Sequence, residues 1–191
     1  MTILRVDGLS KRYPAFCLRD VSFSIEEGRV MGLIGRNGAG KTTTIKSILR
    51  LVRPNGGTVQ FLGKPLDLDA SALHREAGYV SGDLCYYPRK RLSQLTAVTK
   101  SFYPSWDDKK YEALLHRFSL DETKRVCELS AGMKVKYQLA CALSHGAKLL
   151  ILDEPSAALT DIEVEGLFAI MHKLIGEGKS IIFISHKMRE V

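Results

Sequence analysis

One short segment limits what this chain can fold into more than any other: residues 35–42 read GRNGAGKT and fit the phosphate-binding pattern GxxxxGK(S/T). The glycines allow a tight turn and let backbone N–H groups approach a polyphosphate. Lys41 adds a positive charge for the β and γ phosphates, and the Thr42 hydroxyl is placed to bind Mg²⁺. A glycine-rich turn without a ligand is the alternative, but residues 29–34 predict a buried strand before it and residues 43–49 a helix after it.

The composition indicates one globular domain with space for an inserted subdomain. The chain has 191 residues, of which 45% are hydrophobic and 26% charged, which argues against disorder. Its apolar runs stay short of the roughly 18 residues that cross a bilayer, and MTILRV followed by Asp7 is not a signal peptide. Because Cys17, Cys85, Cys127 and Cys141 lack CxxC spacing, reduced thiols in the cytosol are favoured over zinc or disulfides.

The net charge of +7 is compatible with binding to nucleic acid or to an anionic membrane surface. However, residues 89–91 form only a short basic cluster, and Lys109 and Lys110 lie beside two aspartates. Solvated charged faces are therefore the favoured explanation, and we expect no nucleic-acid partner.

Strands and helices alternate along most of the sequence. Strand patterns occupy residues 3–6, 18–25, 58–62, 78–80, 148–153 and 180–184, of which the first two predict an antiparallel edge. Helical patterns fill residues 84–145 and return at residues 161–175. Within the first segment, two sets of apolar residues fall each on one helix face: Leu92, Leu95, Val98 and Phe102, then Tyr111, Leu114, Leu115 and Phe118. The expected class is α/β, with a mainly parallel sheet flanked by helices, an inserted helical subdomain, and the ligand at the carboxyl ends of the strands.

Two carboxylates end the apolar segment LLILDE at residues 149–154, where this fold would bring them beside the phosphate loop. Asp153 suits a Mg²⁺ shell through water, and Glu154 suits a general base acting on an attacking water. Acidic residues that form a turn are the alternative. His186 follows the last strand, where an isolated histidine is often structural but could here reach a γ phosphate.

Two further segments are ambiguous when they are taken alone. The sequence LSAGM at residues 129–133 precedes a predicted helix at residues 134–144, so Ser130 can act simply as its N-cap. Tyr13 lies in a polar turn upstream of the phosphate loop, where its ring could stack on a nucleobase or pack half-buried.

Together, the order of these motifs resembles the ATP-binding subunit of ABC transporters over essentially all 191 residues. Residues 129–133 are similar to the family signature LSGGQ, and residues 149–153 to the Walker B strand. The resemblance implies ATP and Mg²⁺ as ligands, Thr42 and Asp153 for the metal, and Lys41, Glu154 and His186 for catalysis. It implies nucleotide contacts from Tyr13, Gly35, Arg36, Asn37, Gly38, Ala39, Gly40, Lys41, Thr42 and Thr43.

The resemblance also implies how the protein works with others. In the family, each ATP lies between the phosphate loop of one subunit and the signature of a second, so Ser130, Ala131, Gly132 and Met133 would bind the partner's ATP. The second ATPase subunit is identical or related, and hydrolysis drives a separately encoded membrane permease from the cytoplasmic face of the membrane. Residues 130–134 and 103–107 are most similar to bacterial exporters of drugs, antibiotics or lipids.

Three departures from the family pattern limit this interpretation. A glutamine that serves Mg²⁺ and coupling is replaced by Gly82, with Asp83 or a water as a substitute. An aspartate after the Walker B strand aligns with Thr160, which puts communication between the two sites in doubt, although Asp161 is adjacent. Family members also continue beyond the equivalent of Val191, so a shortened or fragmentary chain with reduced stability is expected.

Other functions remain open from the sequence alone. The departures favour, as the main alternative, an ATP-dependent switch with weak or no hydrolysis. Soluble relatives in translation or DNA repair are less well supported, since no second phosphate loop, long coiled coil or zinc motif is present. A simple P-loop phosphotransferase would have no use for residues 129–133.

Overall fold

The computed structural model describes residues 1–66, 70–82, 87–157 and 159–186. Its strands form two four-stranded sheets. The strands are β1 (Thr2–Tyr13), β2 (Phe16–Glu26), β3 (Val30–Ile34), β4 (Gly56–Phe61), β5 (Lys64–Pro65), β6 (Ala77–Ser81), β7 (Leu149–Asp153) and β8 (Ser180–Ser185). The helices are α1 (Lys41–Ile48), α2 (Ser71–Glu76), α3 (Leu92–Ser101), α4 (Asp108–Phe118), α5 (Ala131–Ser144) and α6 (Asp161–Gly176).

The parallel sheet has the order β3-β8-β7-β6, and the antiparallel sheet has the order β2-β1-β4-β5. The α/β class is therefore confirmed, but the antiparallel strands form a sheet of their own instead of an edge. β1 continues to Tyr13 because its ladder with β2 runs as far as the pair Tyr13 and Phe16. Only Pro14 and Ala15 separate these two strands, so Tyr13 ends a strand where the sequence predicted a turn.

Two hydrophobic cores lie on opposite faces of the parallel sheet. In β7 every residue is buried, and alternate side chains enter different cores. Leu150 and Leu152 pack with the helices that follow residue 91, whereas Leu149 and Ile151 pack with α1 and the antiparallel sheet. Burial on both faces fits the continuous apolar sequence of this strand.

Polar residues set where the helices begin. Asp107 caps α4 by accepting a hydrogen bond from the Lys110 N–H at 3.0 Å. Ser130 caps α5 in the same way through the Met133 N–H at 3.2 Å, so α5 begins at Ala131, earlier than the sequence pattern predicted. α2 and β5 were not predicted at all, since both are too short for a periodic pattern.

The predicted face of α3 is wrong at its C-terminal end. Leu92 and Leu95 are buried as expected, but Val98 is 59% exposed and Phe102 is 72% exposed. Thr96 is buried in their place because its hydroxyl hydrogen-bonds to the hydroxyls of two buried tyrosines, Tyr111 at 2.7 Å and Tyr137 at 3.2 Å. The hydrogen bonds of Thr96 thus fix which face of α3 is buried, and this face differs from the one that the apolar residues predict.

Candidate functional site

The phosphate loop folds around the ammonium group of Lys41. Its Nζ donates hydrogen bonds to the Gly35 carbonyl oxygen at 2.7 Å and to the Arg36 carbonyl oxygen at 3.3 Å. The side chain is only 7% exposed, so the charge is held at the centre of the loop. The loop leads directly into α1, whose first-turn N–H groups face the same place.

Gly40 is required here for two reasons. Its φ of 95° is in the left-handed region, which a residue with a side chain adopts at a cost. A Cβ at this position would also lie 2.8 Å from Leu18 Cδ1 and 2.9 Å from Phe16 Cζ. The β1–β2 hairpin therefore packs directly on the phosphate loop, and only glycine leaves room for it.

A cavity of about 400 Å³ lies over the loop, within the range of small-molecule sites. Its walls are Phe16, Glu154 and the loop residues Asn37, Gly38, Ala39, Gly40, Lys41, Thr42 and Thr43. Seven of the ten predicted nucleotide contacts thus share one cavity. Gly35 and Arg36 lie behind it and hold Lys41 through their carbonyl groups.

The aromatic residue in this cavity wall is Phe16, which the sequence analysis missed. Tyr13, the predicted stacking residue, is paired with Phe16 across the turn but is not one of the cavity-lining residues. It is 39% exposed, and Lys11 Nζ lies 5.3 Å from its ring centroid. Phe16 could have been predicted as a candidate from the sequence, because it is a second aromatic residue three positions after Tyr13. Stacking of Tyr13 on a nucleobase stays a prediction.

Two of the three predicted catalytic side chains, Lys41 and Glu154, line this cavity, and the third, His186, lies next to Glu154. Glu154 Oε1 lies 3.5 Å from Lys41 Nζ, and Glu154 Oε2 lies 3.5 Å from His186 Nδ1. The carboxylate is thus placed between two groups that can carry positive charge. Its backbone N–H donates to the Ile184 carbonyl at 3.1 Å, which joins the end of β7 to β8. The φ of Glu154 is 48°, a left-handed conformation that its surroundings must stabilise.

Asp153, which directly precedes Glu154, has an oxygen atom without a hydrogen-bond partner among the described residues. Its Oδ2 accepts a hydrogen bond from the Tyr79 hydroxyl at 2.8 Å, whereas its Oδ1 is buried without a hydrogen-bond partner among the described residues. Burial, with the nearby Asp153 carboxylate, raises the pKa of Tyr79, so the phenol keeps its proton and acts as the donor. The unpartnered oxygen fits a Mg²⁺ shell, and Thr42, exposed at the start of α1, supplies a hydroxyl to the cavity over the phosphate loop.

The metal would not be held by protein ligands alone. Across the described parts of the chain, no group of three or more His, Cys, Asp and Glu side chains is arranged to hold a metal ion. Mg²⁺ is usually bound by one or two protein oxygens together with phosphates, and Asp153 Oδ1 and the Thr42 hydroxyl are oxygens of this kind. The residues present therefore fit the predicted cofactor.

The signature residues do not reach this cavity. Ser130 is exposed at the start of α5, and neither it nor Ala131, Gly132 and Met133 is one of the cavity-lining residues. Gly132 is buried beneath Glu163, since a Cβ at Gly132 would lie 2.5 Å from Glu163 Oε1. Within one chain, therefore, this segment is separate from the phosphate loop.

Two of the three departures from the family pattern, Thr160 and Gly82, have a structural role. Thr160 caps α6, because its Oγ1 accepts a hydrogen bond from the Glu163 N–H at 3.4 Å and donates one to Glu163 Oε2 at 3.1 Å. Gly82 packs so closely against Glu154 that a Cβ would lie 2.4 Å from its carbonyl oxygen. Asp83, the predicted substitute ligand, lies outside the described residues.

Sequence comparisons agree on one family. The model of the ABC transporter family matches residues 18–157. The ribose import ATP-binding protein RbsA 2 of Rhizobium etli is 33% identical over 200 residues, which cover 99% of this chain and 39% of that protein. A putative ribose/galactose/methyl galactoside import ATP-binding protein of Pseudomonas syringae is 34% identical over 203 residues, covering 99% of this chain and 38% of that protein. The chain thus spans about two fifths of the length of these relatives.

Solved structures have the same fold. One described as the ATP-binding subunit of an ABC transporter is 29% identical, with a TM-score of 0.81 over 98% of this chain and 80% of that one. A nucleotide-free ATP-binding cassette from an ABC transporter has a TM-score of 0.84 over 100% of this chain and 84% of that one, at 23% identity. None of the helices in the described residues is long and apolar enough to cross a membrane.

Proposed function

This chain belongs to the ABC transporter family as an ATP-binding domain, and on that basis we propose that it hydrolyses ATP at its phosphate loop to drive a separate membrane permease. ABC domains of this kind are ATPases that use ATP with Mg²⁺. The observation that carries the proposal is that Glu154, which lines the cavity with Lys41, lies 3.5 Å from both Lys41 Nζ and His186 Nδ1. This arrangement offers a cation for the phosphates, a base for water and an imidazole beside that base.

Each side chain takes a distinct role in the reaction. Glu154 accepts a proton from the attacking water, Lys41 offsets charge on the β and γ phosphates, and His186 supports the carboxylate and the γ phosphate. Because Lys41 Nζ lies 3.5 Å from Glu154 Oε1, bound phosphates would compete for the ammonium group and leave the carboxylate free to act as a base. Thr42 and Asp153 would hold Mg²⁺, which would supply positive charge to neutralise the phosphate oxygens.

A second subunit completes the site in this proposal. Ser130, Ala131, Gly132 and Met133 lie away from the cavity of their own chain, at the start of α5, where N–H groups suit an anion. This position supports binding of a partner's ATP, so that ATP promotes pairing of two chains. The Glu163 carboxylate beside Gly132 adds negative charge near the incoming phosphate, which opposes pairing unless that side chain rotates.

The membrane partner and the direction of transport belong to the same proposal. Val98 and Phe102 leave an apolar patch exposed on α3, which suits contact with a permease. Such contact would keep the chain on the cytoplasmic face of the membrane. The sequence favoured an exporter, whereas the two relatives are named as import proteins. We therefore propose ATP-driven transport without assigning a direction.

A switch with weak hydrolysis is the second candidate. It is favoured by Thr160, which stands where the family has an aspartate and whose hydroxyl caps α6. Steady-state release of phosphate separates the two functions. Turnover on the order of 1 per second or faster, typical of enzymes, supports the ATPase, whereas ATP binding without turnover supports the switch.

The replacement Glu154→Gln tests the proposal. It keeps the shape of the side chain but removes the base, so we expect ATP affinity to be retained and turnover to fall at least about 100-fold. We also expect ATP-promoted pairing to persist longer than in the wild type, measured by size-exclusion chromatography with light scattering. Glu165→Gln, on the exposed side of α6, is the matched control.

Two results would count against these roles. Unchanged turnover in Glu154→Gln removes Glu154 from the role of base. Failure of the folded wild-type chain to bind ATP with Mg²⁺, measured by titration calorimetry, removes the proposed function as a whole.

A further inference from the structure

We propose that Tyr79 is a positioning residue that orients Asp153 toward Mg²⁺. The inference rests on the proposed role of Asp153 in metal binding and assigns a function to a tyrosine outside the phosphate-binding and carboxylate motifs. It follows from the geometry of the β6–β7 pair, from the two different environments of the Asp153 oxygens, and from the absence of a side chain at Gly82.

The register of the sheet brings the phenol to the carboxylate. In the parallel pair of β6 and β7, Tyr79 is opposite Ile151, and Ser81 is opposite Asp153. Tyr79 and Asp153 are therefore diagonal neighbours on the same face, a separation that a long aromatic side chain can span. The observed distance of 2.8 Å from the hydroxyl to Asp153 Oδ2 is that of a good hydrogen bond.

The hydrogen bond from Tyr79 gives the two oxygens of the Asp153 carboxylate different environments. Oδ2 is used by Tyr79, while Oδ1 is buried without a partner among the residues described. A carboxylate held through one oxygen cannot rotate freely, so the other oxygen keeps a fixed direction. In metal sites, partners of this kind orient the ligand and tune its affinity for the ion.

Packing alone does not explain why a tyrosine occupies this position. Its neighbours Gly78 and Val80 are buried, and Gly78 packs against α5. Tyr79 points to the other face and is 38% exposed, so it contributes little to either core. Its hydroxyl is the part with a specific contact, which indicates a role at the site.

Gly82 explains why such a residue is needed in this chain. Gly82 supplies no side-chain ligand at the end of β6, and its contact with the Glu154 carbonyl leaves no space for one. Asp153 therefore bears more of the metal binding, and its orientation matters more. Tyr79, on the same strand, fixes that orientation from behind the carboxylate instead of ligating the metal itself.

The test is the replacement Tyr79→Phe in the full chain, which removes only the hydroxyl. Mn²⁺ serves as the probe because its unbound form gives an electron paramagnetic resonance signal that decreases on binding. We expect the affinity of the chain for Mn²⁺, measured with saturating ATP, to fall about tenfold. ATP affinity without metal, measured with EDTA and a fluorescent ATP analogue, should not change.

Tyr111→Phe is the matched control. The Tyr111 hydroxyl also donates to a carboxylate, Glu122 Oε1 at 2.9 Å, but within the helices that follow residue 91. Its replacement should lower thermal stability and leave Mn²⁺ affinity unchanged. An equal loss of Mn²⁺ affinity in both variants would mean a general loss of structure and would overturn the inference.

The remaining outcomes separate this inference from the proposed function. If the wild type binds Mn²⁺ no better with ATP than ATP does alone, the proposed metal site fails, and the role of Tyr79 fails with it. If the wild type binds Mn²⁺ and Tyr79→Phe binds it equally well, only the role of Tyr79 is refuted.

Discussion

For the replacement of Gly82 by glutamine, the structure predicts the opposite of what the family pattern suggests. The family has a glutamine there, so Gly82→Gln would be expected to restore a lost ligand. In this structure, however, the Gly82 N–H donates to the Asp153 carbonyl at 3.1 Å, and a Cβ on Gly82 would lie 2.4 Å from the Glu154 carbonyl oxygen. We therefore expect the glutamine to damage the site.

The size of the effect follows from the geometry. The Cβ and the carbonyl oxygen must separate by about 0.6 Å to reach 3.0 Å, below which such contacts essentially do not occur. Overpacking of this kind costs about 1–3 kcal/mol. For a chain of this length, each kcal/mol lowers Tm by about 2–4 °C, so a fall of roughly 2–12 °C is expected.

The displaced backbone belongs to Glu154, the proposed general base, so turnover should fall as well. Glu154 already has a φ of 48°, and a shift of its carbonyl changes the direction of its side chain. Misplacing a catalytic group by about 1 Å can cost about 100-fold in rate. We expect a loss of about tenfold to 100-fold in turnover, measured as phosphate release at saturating ATP.

A glycine with open space provides the control. Gly166 lies within α6, and no atom lies within 4 Å of a Cβ built on it. Gly166→Ala should raise the free energy of unfolding by about 0.5–1 kcal/mol, because alanine favours a helix more than glycine does. If Gly82→Gln matches the wild type in both Tm and turnover, the argument from the close contact is refuted.

Two further predictions concern buried groups of the helical segment. Burial raises the pKa of Cys141 to about 12, so we expect iodoacetamide to label the exposed Cys127 in the folded chain and Cys141 only after unfolding, as mapped by peptide mass spectrometry. Equal labelling rates would contradict this. Burial also lowers the pKa of His145, which stacks on Tyr103 with ring centroids 3.9 Å apart. The unfolded state therefore binds a proton more readily, and stability should fall as the pH drops below about 6.5. In urea unfolding from pH 8 to pH 5, His145→Phe should lose less stability than the wild type, and an equal loss would contradict the assignment.

The convergence of the catalytic side chains could be predicted from the sequence because it follows from strand order. Apolar strands end directly before Glu154 and His186, and a third, at residues 30–34, ends just before the loop that leads to Lys41. In a parallel sheet, such ends meet at one edge. No knowledge of side-chain packing was needed to place the three residues near one another.

Other residues of the site depend on contacts between distant segments, which a local pattern does not reveal. Phe16 reaches the phosphate loop because a two-residue turn folds β2 back along β1. Tyr79 reaches Asp153 only through the register of β6 and β7. Val98 has the spacing of a buried residue but is exposed. Thr96 is buried instead, because its hydroxyl hydrogen-bonds to the hydroxyls of two buried tyrosines.

Thr160, which stands where the family has an aspartate, forms hydrogen bonds with Glu163. Its hydroxyl and backbone N–H both donate to Glu163 Oε2 at 3.1 Å, while Glu163 Oε1 lies against Gly132. One carboxylate therefore joins the loop after β7 to the signature segment of the same chain. A phosphate approaching Gly132 would repel that carboxylate and disturb the cap of α6. The missing aspartate thus does not leave the two segments independent, because Glu163 provides an electrostatic link between them.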